Sequence, residues 1–256
     1  MKKYNMGNEQ VLLMENVRFE YKNGIILDDI DISIHRGELM CLLGRSGSGK
    51  STLLKLIAGF ISPSAGHIYM EGREVTAPSW ERGVIFQEPV LYEWLNVYDN
   101  VAFGLRMRKK KNSVSEETIR ERVTRCLQEG GLTDYAKYYP YELSGGMKQR
   151  VALSRVLVNR PKMMLMDEPF SALDPVLRKE MHSLLLKTHK QHEMAVLFVT
   201  HDIHEAISIA DRILILAGKP GYIVGEICLK QHKALRQNPN ILYDEIYELM
   251  SIKSKR

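Results

Sequence analysis

Eight consecutive residues, Gly44-Arg-Ser-Gly-Ser-Gly-Lys-Ser51, constrain this 256-residue chain more tightly than any other feature. They match the spacing G-x-x-x-x-G-K-[ST] at every position. The apolar run Leu39-Met-Cys-Leu-Leu43 leads in and the apolar residues 52–58 lead out, so the local order is strand, glycine loop, helix. Such an arrangement turns backbone N–H groups and the positive end of the helix onto one point, which is a cradle for phosphate. Gly44, Arg45, Ser46, Gly47, Ser48, Gly49, Lys50, Ser51 and Thr52 are therefore assigned to nucleotide contact. Lys50 would reach the terminal phosphates, and the Ser51 hydroxyl would ligate Mg²⁺. A flexible Gly/Ser turn arising by chance would not carry both flanking elements.

Downstream, Met163-Met-Leu-Met-Asp167-Glu168 is an apolar strand ending in two carboxylates. By itself it would also suit a strand closed by a solvated acidic turn. Behind a matched phosphate loop, the pair puts Asp167 in place to hold the Mg²⁺ shell and Glu168 to polarise an attacking water.

Residues 11–36 carry alternating apolar positions (Val17, Phe19, Tyr21; Ile30, Ile32, Ile34), the period of strands in a small β layer. From about 88 to 160 helical patterns dominate, with charge-rich connections around 106–111 and 116–125, and this reads as an inserted helical lobe. Short apolar strands return at 163–166, 195–199 and 213–216. Helices separate them, including 176–192 with Leu177, Met181 and Leu184 on one face. Strands alternating with helices predict an α/β fold with a mainly parallel sheet and right-handed crossovers.

The charge balance, 36 Lys and Arg against 31 Asp and Glu for a net +5, allows an anionic partner without selecting one. Cys41, Cys126 and Cys228 are scattered, which argues against a disulfide scaffold or a zinc site and fits a reducing compartment. Cys41, inside its apolar run, reads as buried filler. No leader pattern is present, and no apolar stretch approaches the ~18 residues needed to span a bilayer. Residues 253–256 read as a frayed tail.

Leu143-Ser-Gly-Gly-Met-Lys-Gln-Arg150 narrows the field, because it resembles the signature motif of ABC-type ATPases. Physically it is a second anion site: Ser144 offers a hydroxyl, and Gly145 and Gly146 expose N–H groups at a helix start. The plainer alternative is an N-capped helix start and nothing more. The family's other motifs have counterparts in order. Gln87, in Val-Ile-Phe-Gln-Glu, resembles the glutamine that senses the metal and γ-phosphate and abuts the transporter subunit. Ser171-Ala-Leu-Asp174 resembles the loop that crosses the dimer interface, and His201, after Leu-Phe-Val-Thr, resembles the switch histidine at the γ-phosphate. Tyr21 is similar to the family's adenine-stacking aromatic, although a lone strand Tyr is usually core or surface.

The resemblance spans about 11–230 and implies one ABC ATPase domain on a P-loop NTPase core. That core would have a mainly parallel sheet, an N-terminal antiparallel β layer and an inserted helical subdomain at about 88–160, with a C-terminal helical extension at 231–256. It implies ATP and Mg²⁺ as cofactors. It assigns catalysis to Glu168, His201, Lys50 and Gln87, the metal to Ser51, Gln87 and Asp167, and nucleotide contact to Asp174 as well. It further implies a homodimer, each nucleotide lying between the 44–51 loop of one copy and Ser144, Gly145 and Gly146 of the other.

The stretch from Gln87 to Leu105, with Trp94-Leu followed by Asp99-Asn-Val101, is similar to the nitrate/sulfonate/taurine importer ATPases. So are His201-Asp-Ile-His-Glu-Ala206, Ala210-Asp-Arg-Ile-Leu-Ile and Lys219-Pro-Gly221. The chain ends at Arg256, where sugar-importer ATPases of similar type carry a large regulatory domain, and this favours the small-anion group. The resemblance implies permease chains and an extracytoplasmic solute-binding protein as partners, no nucleic acid, and a peripheral place on the cytoplasmic face of the cell membrane. It does not identify the solute. The basic run 106–111 reads as a solvated loop rather than a lipid contact, His189 and His192 read as a solvated face, and His204 has no role assigned. Two rival readings stay open: a soluble ABC ATPase unconnected with transport, and a non-catalytic nucleotide-binding regulatory subunit. The single cassette without a heptad tract speaks against the first, and the presence of Glu168 and His201 against the second.

Overall fold

A computed structural model of the chain describes residues 9–109, 114–229 and 239–251. Its strands are β1 (Gln10–Tyr21), β2 (Gly24–His35), β3 (Leu39–Gly44), β4 (Ala65–Met70), β5 (Arg73–Glu74), β6 (Arg82–Ile85), β7 (Met163–Asp167), β8 (Ala195–Thr200), β9 (Arg212–Ala217) and β10 (Tyr222–Cys228). They form two sheets. An antiparallel layer has the order β2-β1-β4-β5, and a six-stranded sheet has the order β10-β9-β3-β8-β7-β6. In the larger sheet every pairing is parallel except that of β10 with β9. The fold is therefore the α/β P-loop architecture that the sequence implies.

The central strands are buried on both faces, which is why they read as continuous apolar runs rather than alternating ones. Along β3, Met40 and Leu42 join a core shared with the antiparallel layer, while Leu39, Cys41 and Leu43 face a second core. Helix α1 (Lys50–Ala58) lies between the sheets, with Leu53, Leu54, Leu56 and Ile57 packed in the first core beside Val17, Ile30 and Leu165. The second core is closed by α5 (Pro175–His192), α6 (Ile203–Ile209) and α7 (Pro239–Met250), through residues such as Met181, Leu185, Ala206, Ile207, Leu242 and Ile246. On α5, Met181 and Leu185 are the buried pair, while Leu177 and Leu184 are only half-buried. The extension expected at 231–256 is described only at 239–251, so the tail 253–256 lies outside the described residues.

The helices α2 (Val97–Lys109), α3 (Glu116–Glu129) and α4 (Gly145–Leu157) surround a third core of Val101, Leu105, Ile119, Val123, Leu127 and Val151. Ser115 caps α3, its Oγ accepting from the Thr118 N–H, and Glu116 and Glu117 complement the helix dipole in the first turn. α4 joins the lobe to the sheet: Val151 and Ala152 face the third core, and Leu153 and Leu157 face the second. Where it is described, the basic run is helix rather than loop, and its side chains stay partly in solvent. Arg106 pairs with Asp99 at 2.7 Å, the Arg108 guanidinium lies 3.9 Å from the centre of the Trp80 ring, and Lys109 pairs with Glu116 at 2.5 Å. These three residues occupy the last turn of α2, and Lys110 and Lys111 lie outside the described residues.

One polar side chain organises the connection between Gln87 and the lobe. Asn100 is fully buried, and its Nδ2 donates to the carbonyls of Tyr92 (3.1 Å), Leu95 (2.9 Å) and Asn96 (3.1 Å). Its Oδ1 accepts from the Tyr92 N–H at 2.9 Å. Replacing Asn100 with Ala removes the side-chain partner of the part-buried Tyr92 N–H and Leu95 carbonyl, while the Tyr92 and Asn96 carbonyls keep the Leu95 and Asn100 N–H groups, at an expected cost of about 1–3 kcal/mol. Denaturant titration of Asn100→Ala against wild type measures it, and an unchanged midpoint would contradict this role.

Candidate nucleotide site

The parallel register brings the functional segments together. Leu43 on β3 pairs with Thr200 on β8, and Asp167 on β7 pairs with Val199 on β8. The carboxyl ends of three adjacent strands thus deliver the 44–51 loop, the Asp167–Glu168 pair and His201 to one edge, where open α/β sheets bind ligands. A cavity of about 580 Å³ lies there, lined by Ile26, Ser46, Gly47, Gly49, Lys50, Ser51, Thr52, Gln87, Asp167 and Glu168.

Gly49 enters α1 at φ 102°, and a Cβ there would lie 2.7 Å from Leu27 Cδ2, so both the conformation and the space require glycine. α1 has no side-chain cap and no acid in its first turn, which leaves its N–H groups free for an anion. Lys50 is only 6% exposed, and its Nζ donates to Gly44 O at 2.8 Å and Arg45 O at 3.2 Å. Burial pushes the Lys50 pKa down, while the nearby Glu168 and Asp167 carboxylates oppose that shift. Ser48 is also buried, and its Oγ has no hydrogen-bond partner among the described residues.

The two acids are held differently. Burial raises the Asp167 pKa from its ordinary value, and the Glu168 charge adds to this, while a hydrogen bond from Ser51 works against it. Glu168 adopts φ 45°, its N–H donates to Val199 O at 3.0 Å, and its carboxylate turns back over the loop. There its Oε1 lies 3.8 Å from Lys50 Nζ, and its Oε2 lies 2.9 Å from His201 Nδ1. Gln87 Nε2 donates to Ser171 Oγ at 3.3 Å, and that hydroxyl donates to Glu168 O at 3.0 Å. Ser51 and Asp167 form a hard-oxygen pair beside the anion cradle. That suits Mg²⁺, which takes few protein carboxylates and shares phosphate oxygens.

Other expected residues do not line this cavity. Ser144 caps α4, its Oγ accepting from the Met147 N–H at 3.3 Å, and Gly145 faces open space. Asp174 caps α5, accepting from Val176 N–H (2.9 Å) and Leu177 N–H (3.0 Å). Tyr21 is exposed at the end of β1, edge-on to Phe19 at 4.7 Å. The sequence reading missed Ile26 and the turn between β9 and β10. Gly221 approaches the loop so closely that a Cβ would stand 2.1 Å from Ser48 O, and its backbone bonds Ile26 and Asp28. The signal was Lys219-Pro-Gly221, read only as a family likeness. His204, previously without a role, stacks on Tyr243 of α7 at 4.9 Å.

Comparison with known proteins gives a consistent result. Residues 27–171 match the family model described as ABC transporter. The chain is 44% identical over 217 residues to the taurine import ATP-binding protein of Ruegeria pomeroyi, covering 83% of this chain and 80% of that protein. It is 42% identical over 205 residues to the nitrate import ATP-binding protein of Synechocystis sp., covering 80% and 76%. Among solved structures it resembles an ATP-binding cassette in a dimeric post-hydrolysis state bound to ADP and Pi. That match has TM-score 0.74 and 32% identity, over 85% of this chain and 98% of that one.

The raised Asp167 pKa has a consequence for stability. The folded state holds this proton more tightly than the unfolded chain does, so ionised Asp167 costs stability. The cost is fully present above the raised pKa and disappears below the unfolded value. Without nucleotide, the melting temperature of Asp167→Asn relative to wild type is expected to be most favourable near neutral pH and to lose that advantage on acidification. Thermal unfolding across the carboxylate range checks this, and an advantage that grows in acid would contradict it.

Proposed function

The chain belongs to the ABC transporter family of ATPases, and from that premise we propose that it is the ATP-hydrolysing subunit of an importer, coupling closure of a two-copy assembly to passage of a small solute through separate permease chains. The observation that carries this reading is the separation of two anion sites on one chain. The cavity around Lys50 is lined on one side by the 44–51 loop, and Ser144, Gly145 and Gly146 are absent from its lining. The start of α4 is nevertheless open, with nothing within 4 Å of a Cβ built on Gly145. A second copy, related by a two-fold axis, supplies the missing side to each nucleotide.

In this reading Lys50 releases its loop carbonyls to meet the β- and γ-phosphates, and the N–H groups at the start of α1 hold the same oxygens. Ser51 and Asp167 hold Mg²⁺, with Gln87 beside them; when bound, the ion neutralises phosphate charge. Glu168 orients and deprotonates the attacking water, and His201 leaves Glu168 to contact the γ-phosphate. Tyr21 offers a ring face to adenine. Asp174 and the Ser171 turn face the partner copy. Because ATP touches both copies, it binds the closed pair better than the open pair, and this difference drives closure. The 2.9 Å contact between Glu168 and His201 favours this reading over a non-catalytic regulatory subunit.

The side of the chain near Gln87 is suited to an apolar partner. Trp94 is 73% exposed, and Phe60, Trp80, Phe86 and Val90 are exposed as well, with Phe60 and Phe86 stacked at 6.4 Å. Exposed apolar groups gathered in this way mark a docking surface, which we assign to the permease, with the chain on the cytoplasmic face of the membrane. No described helix is long and apolar enough to cross a membrane. The relatives that import taurine and nitrate support a small anion or related organic molecule as the solute, delivered by an extracytoplasmic binding protein.

Glu168→Gln tests the core of the proposal. It is expected to bind ATP with Mg²⁺, to accumulate as a dimer by light scattering, and to lose turnover by a factor of about 100 or more. A variant that stays monomeric, or one that turns over at the wild-type rate, would overturn the assignment.

A further inference from the structure

Two side chains one turn apart on α5 grip the segment that carries His201 from both sides. Arg178 and His182 stand at i and i+4, hence on one helix face. His182 Nε2 donates to Glu205 Oε1 at 2.7 Å, and Glu205 Oε2 accepts from Thr200 Oγ1 at 2.5 Å. The same Thr200 oxygen accepts from the Asp202 N–H at 3.1 Å. On the other flank, Arg178 Nη1 lies 3.6 Å from Asp202 Oδ2, while Asp202 Oδ1 accepts from the Glu205 N–H at 3.1 Å. Thr200 and Asp202 are the neighbours of His201, so α5 holds the histidine turn through one partner on each side.

Arg178 also reaches the turn before its own helix. Its Nη2 donates to Leu173 O at 3.1 Å and more weakly to Ser171 O at 3.4 Å. One guanidinium thus ties the 171–174 turn to Asp202. Its Nε is buried with no acceptor among the described residues. A buried donor without a partner is costly, so Arg178 is placed for the span it makes rather than for an ideal set of bonds. The rigid planar fork permits that span, whereas the point charge of a lysine would serve only one end.

We propose that Arg178 is a positioning residue that couples the 171–174 turn to His201, so that the place of the histidine relative to Glu168 depends on how that turn is engaged. Resting on the two-copy reading above, this makes the turn facing the partner a sensor, whose contact is relayed through Arg178 to the histidine of its own chain. Each hydrolytic site then responds to closure at the other. Glu205 and His182 keep the far flank fixed, which converts movement at Asp202 into reorientation of His201.

The test is a double-mutant cycle on the full chain, using Arg178→Ala, His201→Ala and the double variant, with Arg178→Lys as a second probe. Arg178→Ala is expected to lower kcat by about 10- to 100-fold, with ATP affinity held within about twofold. In the His201→Ala background the same substitution should produce no further loss. Arg178→Lys, which keeps the charge but not the span, should fall near Arg178→Ala. Additive losses in the double variant would overturn the proposal, as would a kcat loss matched by an equal loss of ATP binding. Amide exchange on the nucleotide-free chain reads the brace without turnover. The amides of Asp202 and Glu205 should exchange at least about tenfold faster in Arg178→Ala, and unchanged protection would overturn the coupling. If Glu168→Gln fails to dimerise while the cycle is non-additive, the two-copy reading fails and the coupling within the chain survives. If it dimerises and the cycle is additive, only the coupling fails.

Discussion

The burial of one ammonium group sets the terms for the rest of the molecule. Lys50 sits almost entirely out of water, where an unpaired charge would be prohibitively costly. Its own loop answers with two carbonyls, from Gly44 and Arg45, and the facing strand end answers with the carboxylate of Glu168. That answer requires a glycine at the entrance to α1, an apolar strand on each side of β8, and parallel register so that all the strand ends point one way. The charge of the lysine is what a polyphosphate would meet, its oxygens replacing the carbonyls and Glu168 as counter-charge.

The acidic side of the site is organised by the opposite pressure. Asp167 and Glu168 are adjacent, partly buried and of like charge, so burial first and the Glu168 charge second make ionisation of Asp167 harder than in water. A divalent ion, if held there by Ser51 and Asp167, would supply the positive charge that offsets this penalty. Glu168 escapes the deepest burial because its backbone takes a left-handed conformation that turns it toward His201. Strain of this kind, about 1–3 kcal/mol for a non-glycine residue, persists only where the surroundings over-determine it. Here they include the Val199 carbonyl on one side and the Ser171 hydroxyl on the other.

What the sequence made legible was the part written in consecutive residues. The phosphate loop, the carboxylates behind β7 and the Ser144 helix start each declare themselves through local spacing and through the strand or helix beside them. The three apolar runs at β3, β7 and β8 could be read as strands buried on both faces. Asn100, Arg178 and Gly221 could not be read in this way. Each is an ordinary residue in its own segment, and its role comes from partners that only the folded chain supplies: the Tyr92 backbone, Asp202 and the Ser48 carbonyl. The charged run after Leu105 shows the same limit, since the stacking of Arg108 on the Trp80 ring depends on a residue far away in sequence. Local patterns name the chemistry, and long-range pairs decide how rigidly it is held.

That division has a mechanical meaning. The lobe of α2, α3 and α4 keeps its own core and joins the rest of the chain mainly through α4, with Arg108 over Trp80 and Glu129 beside Gln191 and His192 as further contacts. α4 begins at Ser144 in the lobe and sends Leu153 and Leu157 into the core beneath β7, while Gln149 donates to Pro169 O in the turn that follows Glu168. The helix that begins at Ser144 is therefore pinned near its middle to the turn that follows Glu168. The start of α4 is thus held by the lobe core and its later turns by the core beneath β7, so one helix carries the register between the two.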